Sequence, residues 1–130
     1  MIHLDTSFLI RALVAGSPES ALLHGWVGGG LPIGISAPSW TEFLCGPLTE
    51  GQVALAVQLL NEPAAYTAAN AQRAATLFNT SGRRRGSLVD CMVAAAAIEA
   101  GAALATSNPK DFRRFEAQGL RLTGGNLQAI

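Results

Sequence analysis

SLVDCMVAAAAIEAGAALAT, residues 87–106, carries a long helix and the strand that follows it. Ser87 is a favoured helix-capping residue, and the segment after it is rich in alanine, the strongest helix former. Gly101 ends this helix, because glycine readily adopts the left-handed conformation found at helix C-termini. Residues 102–106 then form a short apolar strand. A helix that leads directly into a buried strand is typical of an α/β domain with a mainly parallel sheet.

The same alternation of short apolar strands and helices extends along the rest of the chain. Strands are predicted at residues 2–4, 32–36 and 120–122. Helices are predicted at residues 8–16, 17–26, 39–46, 49–61 and 67–79, with a short one at residues 110–115. Because no repeat or low-complexity linker interrupts this order, we expect residues 1–130 to form one domain.

Composition limits what this domain can do. Of 130 residues, 49% are hydrophobic and only 14% are charged, against about 25% charged in a typical protein. This composition excludes a disordered chain and leaves apolar surface that we expect a second subunit or another protein to cover. The net charge of zero excludes polybasic nucleic-acid binding but not a locally basic groove.

The first residues lack the basic region of a signal peptide, and the longest strongly apolar stretch is residues 91–98. That stretch is far shorter than the roughly 20 residues that cross a bilayer. We therefore expect a soluble, cytoplasmic protein without a membrane partner. The two cysteines, Cys45 and Cys91, form no zinc or redox motif, and their apolar neighbours predict buried, reduced thiols.

Polar side chains collect where the predicted strands end and the next helices begin. The three aspartates of the chain are Asp5, after the first strand, Asp90, in the first turn of the long helix, and Asp111, just after the next strand. Glu42 lies early in the helix after the second strand, and Asn108 is placed to cap the short helix. The carboxyl ends of parallel strands share one edge of a sheet, so these side chains are predicted to line one site.

Each acid also has a structural explanation at a helix start. Asp5 can cap the first helix, and Ser39 with Glu42 and Ser87 with Asp90 match the spacing of capping boxes. The acids are harder to explain as a set, because converging carboxylates raise one another's pKa unless a cation lies among them. Oxygen ligands without histidine or cysteine are those that Mg²⁺ or Mn²⁺ prefers.

Four segments in register resemble a PIN domain: IHLDTSFLI at residues 2–10, SWTEFLCG at 39–46, SLVDCMVAAAAIEAG at 87–101 and LATSNPKDF at 104–112. The likeness covers nearly the whole chain and is greatest to the VapC-like ribonuclease toxins of bacterial toxin–antitoxin pairs. It implies a three-layer α/β/α sandwich with a mainly parallel sheet of four to five strands. It also implies metal-dependent hydrolysis of RNA phosphodiester bonds, a homodimer, and an antitoxin protein that covers the active site in a larger toxin–antitoxin complex.

The resemblance assigns roles to the same side chains. Asp5, Glu42 and Asp90 match the family's first three acids. Its fourth acidic position falls on Asn108, and Asp111 is the nearest acid, so the identity of the fourth ligand stays open. We expect Asp5 and Asp90 to bind Mg²⁺ or Mn²⁺ directly and Glu42 to orient or deprotonate the attacking water. Asn108 and Asp111 would support one edge of a site for one or two metals.

Two basic groups flank the predicted site. Three consecutive arginines, at residues 83–85, lie in the loop before the long helix. They can bind RNA phosphates, remain solvated or meet acidic side chains of an antitoxin. The second group comprises Lys110, Arg113 and Arg114. Trp26 and Trp40 are predicted to fill a core or an interface rather than to stack on bases.

Other classes of protein fit the sequence less well. A phosphatase with an aspartate nucleophile after the first strand needs a second aspartate two residues on, where this chain has Ser7. A two-component receiver domain needs an acidic neighbour for Asp5 and a lysine at the end of a late strand, whereas the only lysine, Lys110, follows Pro109. The remaining alternative to an endoribonuclease is a catalytically silent PIN-like binding module whose acids serve as helix caps.

Overall fold

A computed structural model gives the fold of residues 1–124. The elements run in the order β1 (Ile2–Leu4), α1 (Thr6–Ala12), α2 (Pro18–Gly28), β2 (Ile33–Gly34), α3 (Ala37–Leu44), α4 (Glu50–Leu59), α5 (Ala68–Thr80), α6 (Leu88–Glu99), β3 (Ala103–Ala105) and β4 (Leu122–Thr123). Two 3₁₀ helices, Pro109–Asp111 and Arg113–Gln118, lie between β3 and β4. Residues 125–130 of the predicted domain lie outside the described residues.

The four strands form a parallel sheet in the order β2-β1-β3-β4. Ile2 of β1 pairs with Ile33 of β2 on one side and with Ala103 of β3 on the other. From β2 the chain crosses back over β1 to reach β3, so the carboxyl ends of β1 and β3 form a topological switch point. Ligands of open α/β sheets bind at such points.

Helices cover both faces of the sheet. In β3, Leu104 belongs to an apolar core with α5 and α6, whereas the next residue, Ala105, belongs to a core with α1, α2, α3 and α4. Successive side chains of a strand point to opposite faces, so these two cores lie on opposite sides of the sheet. The predicted three-layer α/β/α sandwich is therefore confirmed.

Helix capping differs from the prediction at two acids. The hydroxyl of Ser36 caps α3 by accepting a hydrogen bond from the backbone N–H of Ser39, so Ser39 and Glu42 do not form the capping box that their spacing allows. Ser87 has a helical backbone conformation, and its side chain makes no capping hydrogen bond. Ser87 and Asp90 therefore form no capping box either, and this structural alternative accounts for neither acid.

The burial predicted for the cysteines is right for Cys91 and wrong for Cys45, which is exposed. Phe43 faces the core at the end of α3. Cys45 lies two positions further along, and residues two apart on a helix do not share a face, so its thiol points to solvent. The helix predicted at residues 110–115 is replaced by 3₁₀ turns. There Phe112 and Phe115 both face the core, and the three-residue turn aligns side chains with this spacing.

The two tryptophans pack as predicted. The ring of Trp26 stacks on that of Phe8 with centroids 5.5 Å apart, and the ring of Trp40 stacks on that of Phe43 at 5.3 Å. Both tryptophans border the core under α1–α4. Over residues 1–124, none of the helices is long and apolar enough to cross a membrane.

Candidate active site

A cleft of about 310 Å³ opens at the carboxyl edge of the sheet, and all the predicted site residues line it. They come from separate elements: the residue after β1, α3, the first turn of α6, and the segment after β3. These residues are Asp5, Glu42, Asp90, Asn108 and Asp111. The cleft that they line lies at the switch point between β1 and β3, where the topology favours a ligand site. The structure brings all five together, while their chemical roles stay a prediction.

Asp5 is buried at the floor of the cleft. Its Oδ1 accepts hydrogen bonds from the backbone N–H of Phe8 at 2.8 Å and from the hydroxyl of Ser7 at 2.9 Å. Burial raises the pKa of Asp5, and the charge of Glu42 adds to this, while hydrogen bonds from Thr106, Phe8 and Ser7 oppose it. Asp5 is therefore the N-cap of α1, as the structural alternative for this acid predicts. It also lines the cleft.

Asp90 is partly buried, and its carboxylate is only partly compensated. Burial and the charge of Asp111 raise its pKa from 3.8 to about 6, and Glu42 and Asp5 contribute in the same direction. Arg114 opposes this shift, since its Nη2 lies 3.9 Å from Oδ2 of Asp90. The net upward shift shows that burial together with the neighbouring carboxylates outweighs the opposing charge of Arg114.

A chain of hydrogen bonds leads from Asp5 to a carboxylate outside the cleft lining. Ser7, which donates to Asp5, accepts a hydrogen bond at 3.1 Å from the backbone N–H of Ser107. The hydroxyl of Ser107 donates to Oε2 of Glu19 at 2.9 Å. Glu19 is buried. Sequence reasoning missed Glu19, because an acid in the first turn of a helix looks like a partner of the helix dipole.

The remaining polar residues lie at the exposed rim of the cleft. The hydroxyl of Thr6 lies 3.4 Å from Oε1 of Glu42. Asn108 occupies the N-cap position of a 3₁₀ helix, but its side chain makes no capping hydrogen bond. Its backbone N–H instead donates to the hydroxyl of Thr106 at 2.9 Å. Asn108 and Asp111 both lie on this rim.

The donor atoms of the cleft suit a hard divalent cation. Carboxylates, hydroxyls and one amide line it, without histidine or cysteine. Within residues 1–124, no group of three or more His, Cys, Asp or Glu side chains is close enough to hold a metal ion alone. Mg²⁺ commonly binds through one or two carboxylates and keeps several water ligands. The pair Asp5 and Asp90, whose pKa values are both raised, fits that mode of binding.

The PIN domain family model matches residues 2–118, a range that includes all the predicted site residues. The chain therefore belongs to the PIN domain family. Among curated protein sequences, none gives a significant match.

Solved structures share this fold over nearly their whole length. A chain of VapBC2 from Rickettsia felis, solved with a DNA fragment from its promoter, is 21% identical, with a TM-score of 0.75 over 95% of this chain and 98% of that one. A chain of DNA-bound VapBC from Salmonella typhimurium is 22% identical, with a TM-score of 0.69 over 95% and 96%. VapC20 from Mycobacterium tuberculosis, a toxin that cleaves the sarcin–ricin loop, is 20% identical, with a TM-score of 0.61 over 92% and 96%. At these identities the likeness establishes a common fold.

Proposed function

We propose that the protein is a Mg²⁺- or Mn²⁺-dependent endoribonuclease and the toxin of a toxin–antitoxin pair. One observation carries this proposal: acids from four separate segments of a PIN domain meet in one cleft, where burial and the neighbouring carboxylates raise the pKa of Asp90 to about 6. The similar solved structures, which include toxin–antitoxin complexes and a toxin that cleaves the sarcin–ricin loop, support the same function.

In this proposal each side chain has a distinct role. Asp5 and Asp90 would hold the metal ion, which when bound lowers the pKa of a water and neutralises charge on the phosphate. Glu42, exposed at the rim, orients the attacking water or takes its proton. Asn108 and Asp111 support the edge of the cleft after β3. The hydrogen bonds from Ser7 and Phe8 keep one orientation of the Asp5 carboxylate.

An RNA cleavage assay tests the proposal directly. Purified protein should cut RNA internally with Mn²⁺ or Mg²⁺, and EDTA should stop the cleavage. Asp5→Asn and Asp90→Asn should each slow it on the order of 100-fold or more. The matched control is Glu116→Gln, which removes an exposed acid outside the cleft. A folded Asp90→Asn variant that cleaves RNA as fast as the wild type would contradict the assignment.

A catalytically silent binding module is the second candidate, because Asp5 does cap α1 and the resemblance places the uncharged Asn108 at the family's fourth acidic position. Thermal unfolding in the presence of metal separates the two candidates. A nuclease whose carboxylates bind Mn²⁺ should gain stability with increasing metal, by about 2.7 kcal/mol at 100 times Kd. A silent module should unfold at the same temperature with Mn²⁺ as with EDTA.

We infer that the partners are an antitoxin protein and a second copy of the chain. Apolar side chains are exposed on several helices and loops: Val14, Val27, Leu31, Leu44, Leu55 and Val57. Such surface in a chain with few charges favours an obligate partner. Light scattering should give about twice the chain mass of 13.5 kDa, and a monomer at micromolar concentration would contradict the dimer. A short reading frame for a DNA-binding protein directly upstream would support the antitoxin.

The cleft lined by Asp5, Glu42, Asp90 and Asp111, which we call the acidic cleft, also suggests how an antitoxin would inhibit the enzyme. An arginine has the planar fork needed to bridge two carboxylates and would replace the charge of the metal. Asp5→Asn should then weaken antitoxin binding, and Mn²⁺ should compete with the antitoxin for the wild type. Antitoxin affinities that are equal for wild type and Asp5→Asn, with and without metal, would show that inhibition works elsewhere.

A further inference from the structure

A second cleft, of about 270 Å³, adjoins the acidic one and has three arginines on its wall. Its side chains include Arg84, Arg85, Ser87 and Arg114, together with Asp90 and Asp111, which also line the acidic cleft. We call it the basic cleft. Resting on the proposed function, we propose that the basic cleft binds a backbone phosphate of the RNA substrate, next to the phosphate that is cleaved.

Arg114 is held in place on the wall between the two clefts. Its guanidinium lies over the ring of Phe115, 4.4 Å from the centroid, and Nη1 donates to the backbone carbonyl of Asp111. Nη2 lies 3.9 Å from Asp90, beyond the 2.7–2.9 Å typical of a charge-assisted hydrogen bond. Arg114 is therefore positioned beside the acids without being tightly bound to them, which suits a planar donor that meets a phosphate.

The three consecutive arginines of the loop before α6 divide into two groups. Arg83 is used within the fold: it donates to the side chain of Asn79, and its guanidinium lies 5.5 Å from the ring centroid of Phe78. Arg84 and Arg85 instead line the basic cleft. Of the alternatives left open for this group by the sequence, phosphate binding therefore applies to Arg84 and Arg85 and not to Arg83.

The charge of the acidic cleft explains why a phosphate subsite is needed beside it. Four carboxylates line that cleft, and they repel an RNA backbone wherever a metal does not screen them. Cationic side chains on the adjoining wall can hold a neighbouring phosphate and thereby keep the strand in place. The N-terminus of α6, whose cap Ser87 also lines the basic cleft, adds the positive end of a helix dipole.

An acidic side chain of a protein partner is the other possible occupant. The observations favour RNA, because the basic cleft shares Asp90 and Asp111 with the cleft in which the RNA would be cut. A strand in the basic cleft would lie beside Arg114, whose guanidinium is 3.9 Å from Asp90. Because a guanidinium group pairs with phosphate and carboxylate oxygens alike, the choice of RNA rests on this position beside the acids.

The test compares Arg84→Gln/Arg85→Gln with Arg83→Gln, which removes a charge from the same loop but not from the cleft. Binding of a short fluorescein-labelled single-stranded RNA is followed by anisotropy in EDTA over a range of salt concentrations. The double variant should bind about tenfold more weakly, and its slope of log affinity against log salt should shrink by about 0.7 for each lost phosphate contact. Arg83→Gln should match the wild type.

A second readout places the contact on the RNA. Each phosphate of the RNA in turn is replaced by an uncharged methylphosphonate. The replacement that weakens binding to the wild type should not weaken binding to the double variant any further. Equal RNA affinity of the double variant and Arg83→Gln would overturn the proposal, and so would a loss that is confined to antitoxin binding. A wild type that binds RNA in this manner without cleaving it would refute the nuclease function and leave the phosphate subsite standing.

Discussion

Replacing Asp90 with asparagine should stabilise the metal-free protein at neutral pH. The carboxyl of Asp90 has its pKa raised from 3.8 to about 6, so its ionisation destabilises the folded state. A shift of about two units corresponds to about 3 kcal/mol at 1.36 kcal/mol per unit. Because the side chain is 30% exposed, solvent screening reduces this figure, and we expect a gain of about 1–2 kcal/mol.

The gain should depend on pH in a defined direction. Below about pH 3 the carboxyl is protonated in both folded and unfolded chains, so asparagine offers no advantage. Between about pH 4 and pH 6 the folded chain retains a proton that the unfolded chain has lost, and wild-type stability falls as pH rises. Above pH 6 the full penalty is present, and the difference between Asp90→Asn and wild type should reach a plateau.

Urea unfolding of both proteins in EDTA, at pH 4 and at pH 7.5, measures this difference. The control Glu116→Gln removes an exposed acid outside both clefts and should change stability by less than about 0.5 kcal/mol. Adding Mn²⁺ at neutral pH should reverse the order of stability, because the metal stabilises the wild type and has lost a ligand in Asp90→Asn.

Two outcomes would refute this reasoning. If Asp90→Asn is less stable than wild type in EDTA at pH 7.5, the ion pair with Arg114 outweighs burial and repulsion, and the cleft is not short of a cation. If the difference is the same at pH 4 and pH 7.5, it arises from packing or hydrogen bonding of the amide and not from the charge.

Three further predictions test other parts of the structure. Glu19→Gln should lower kcat about tenfold with RNA affinity unchanged, as expected for a residue that positions a metal ligand through intervening hydrogen bonds; cleavage and anisotropy assays on one preparation separate these effects. Gly124→Ala should cost about 2–4 kcal/mol, because Gly124 has a φ of 83° and an added Cβ would lie 2.8 Å from the ring of buried Phe8. Gly16→Ala, with a similar φ but open space around it, should cost only about 1 kcal/mol in the same urea titration. Cys45 should react with an aromatic disulfide reagent in the native protein, while the buried second cysteine reacts only after unfolding; two rapidly reacting thiols in the native protein would show that the second one is accessible.

The fold could be predicted from the sequence because its signals are local and agree with one another. The helix after Ser87 is marked by its alanines and by Gly101, and the strand that follows it is uniformly apolar. Strand position in a parallel α/β sheet then determines the edge at which the acids meet, without any knowledge of side-chain contacts. For this reason the set Asp5, Asp90 and Asp111 could be placed in one cleft before the structure was known.

Other features depend on contacts between residues far apart in the chain. Glu19 reaches the site through Ser107, which is 88 positions away in the sequence, and no local pattern marks such a pair. Arg84 and Arg85 line the basic cleft whereas Arg83 does not. This difference depends on where the loop turns, since Arg83 itself has a φ of 54°. The spacing of Ser39 and Glu42 is compatible with a capping box, but spacing alone cannot show that Ser36 already caps α3.

The failed capping boxes strengthen the functional interpretation of the cleft. A carboxylate that caps a helix is stabilised by the bonds it accepts, and Asp5 has two such bonds. Asp90 has no capping bond in the described residues; its ion pair with Arg114 has a distance of 3.9 Å, and burial raises its pKa. A structural role would favour a neutral or well-paired side chain at that position, because an uncompensated, partly buried charge costs stability. The position of Asp90 is therefore not explained by helix capping, which agrees with the proposal that this carboxylate binds a metal ion.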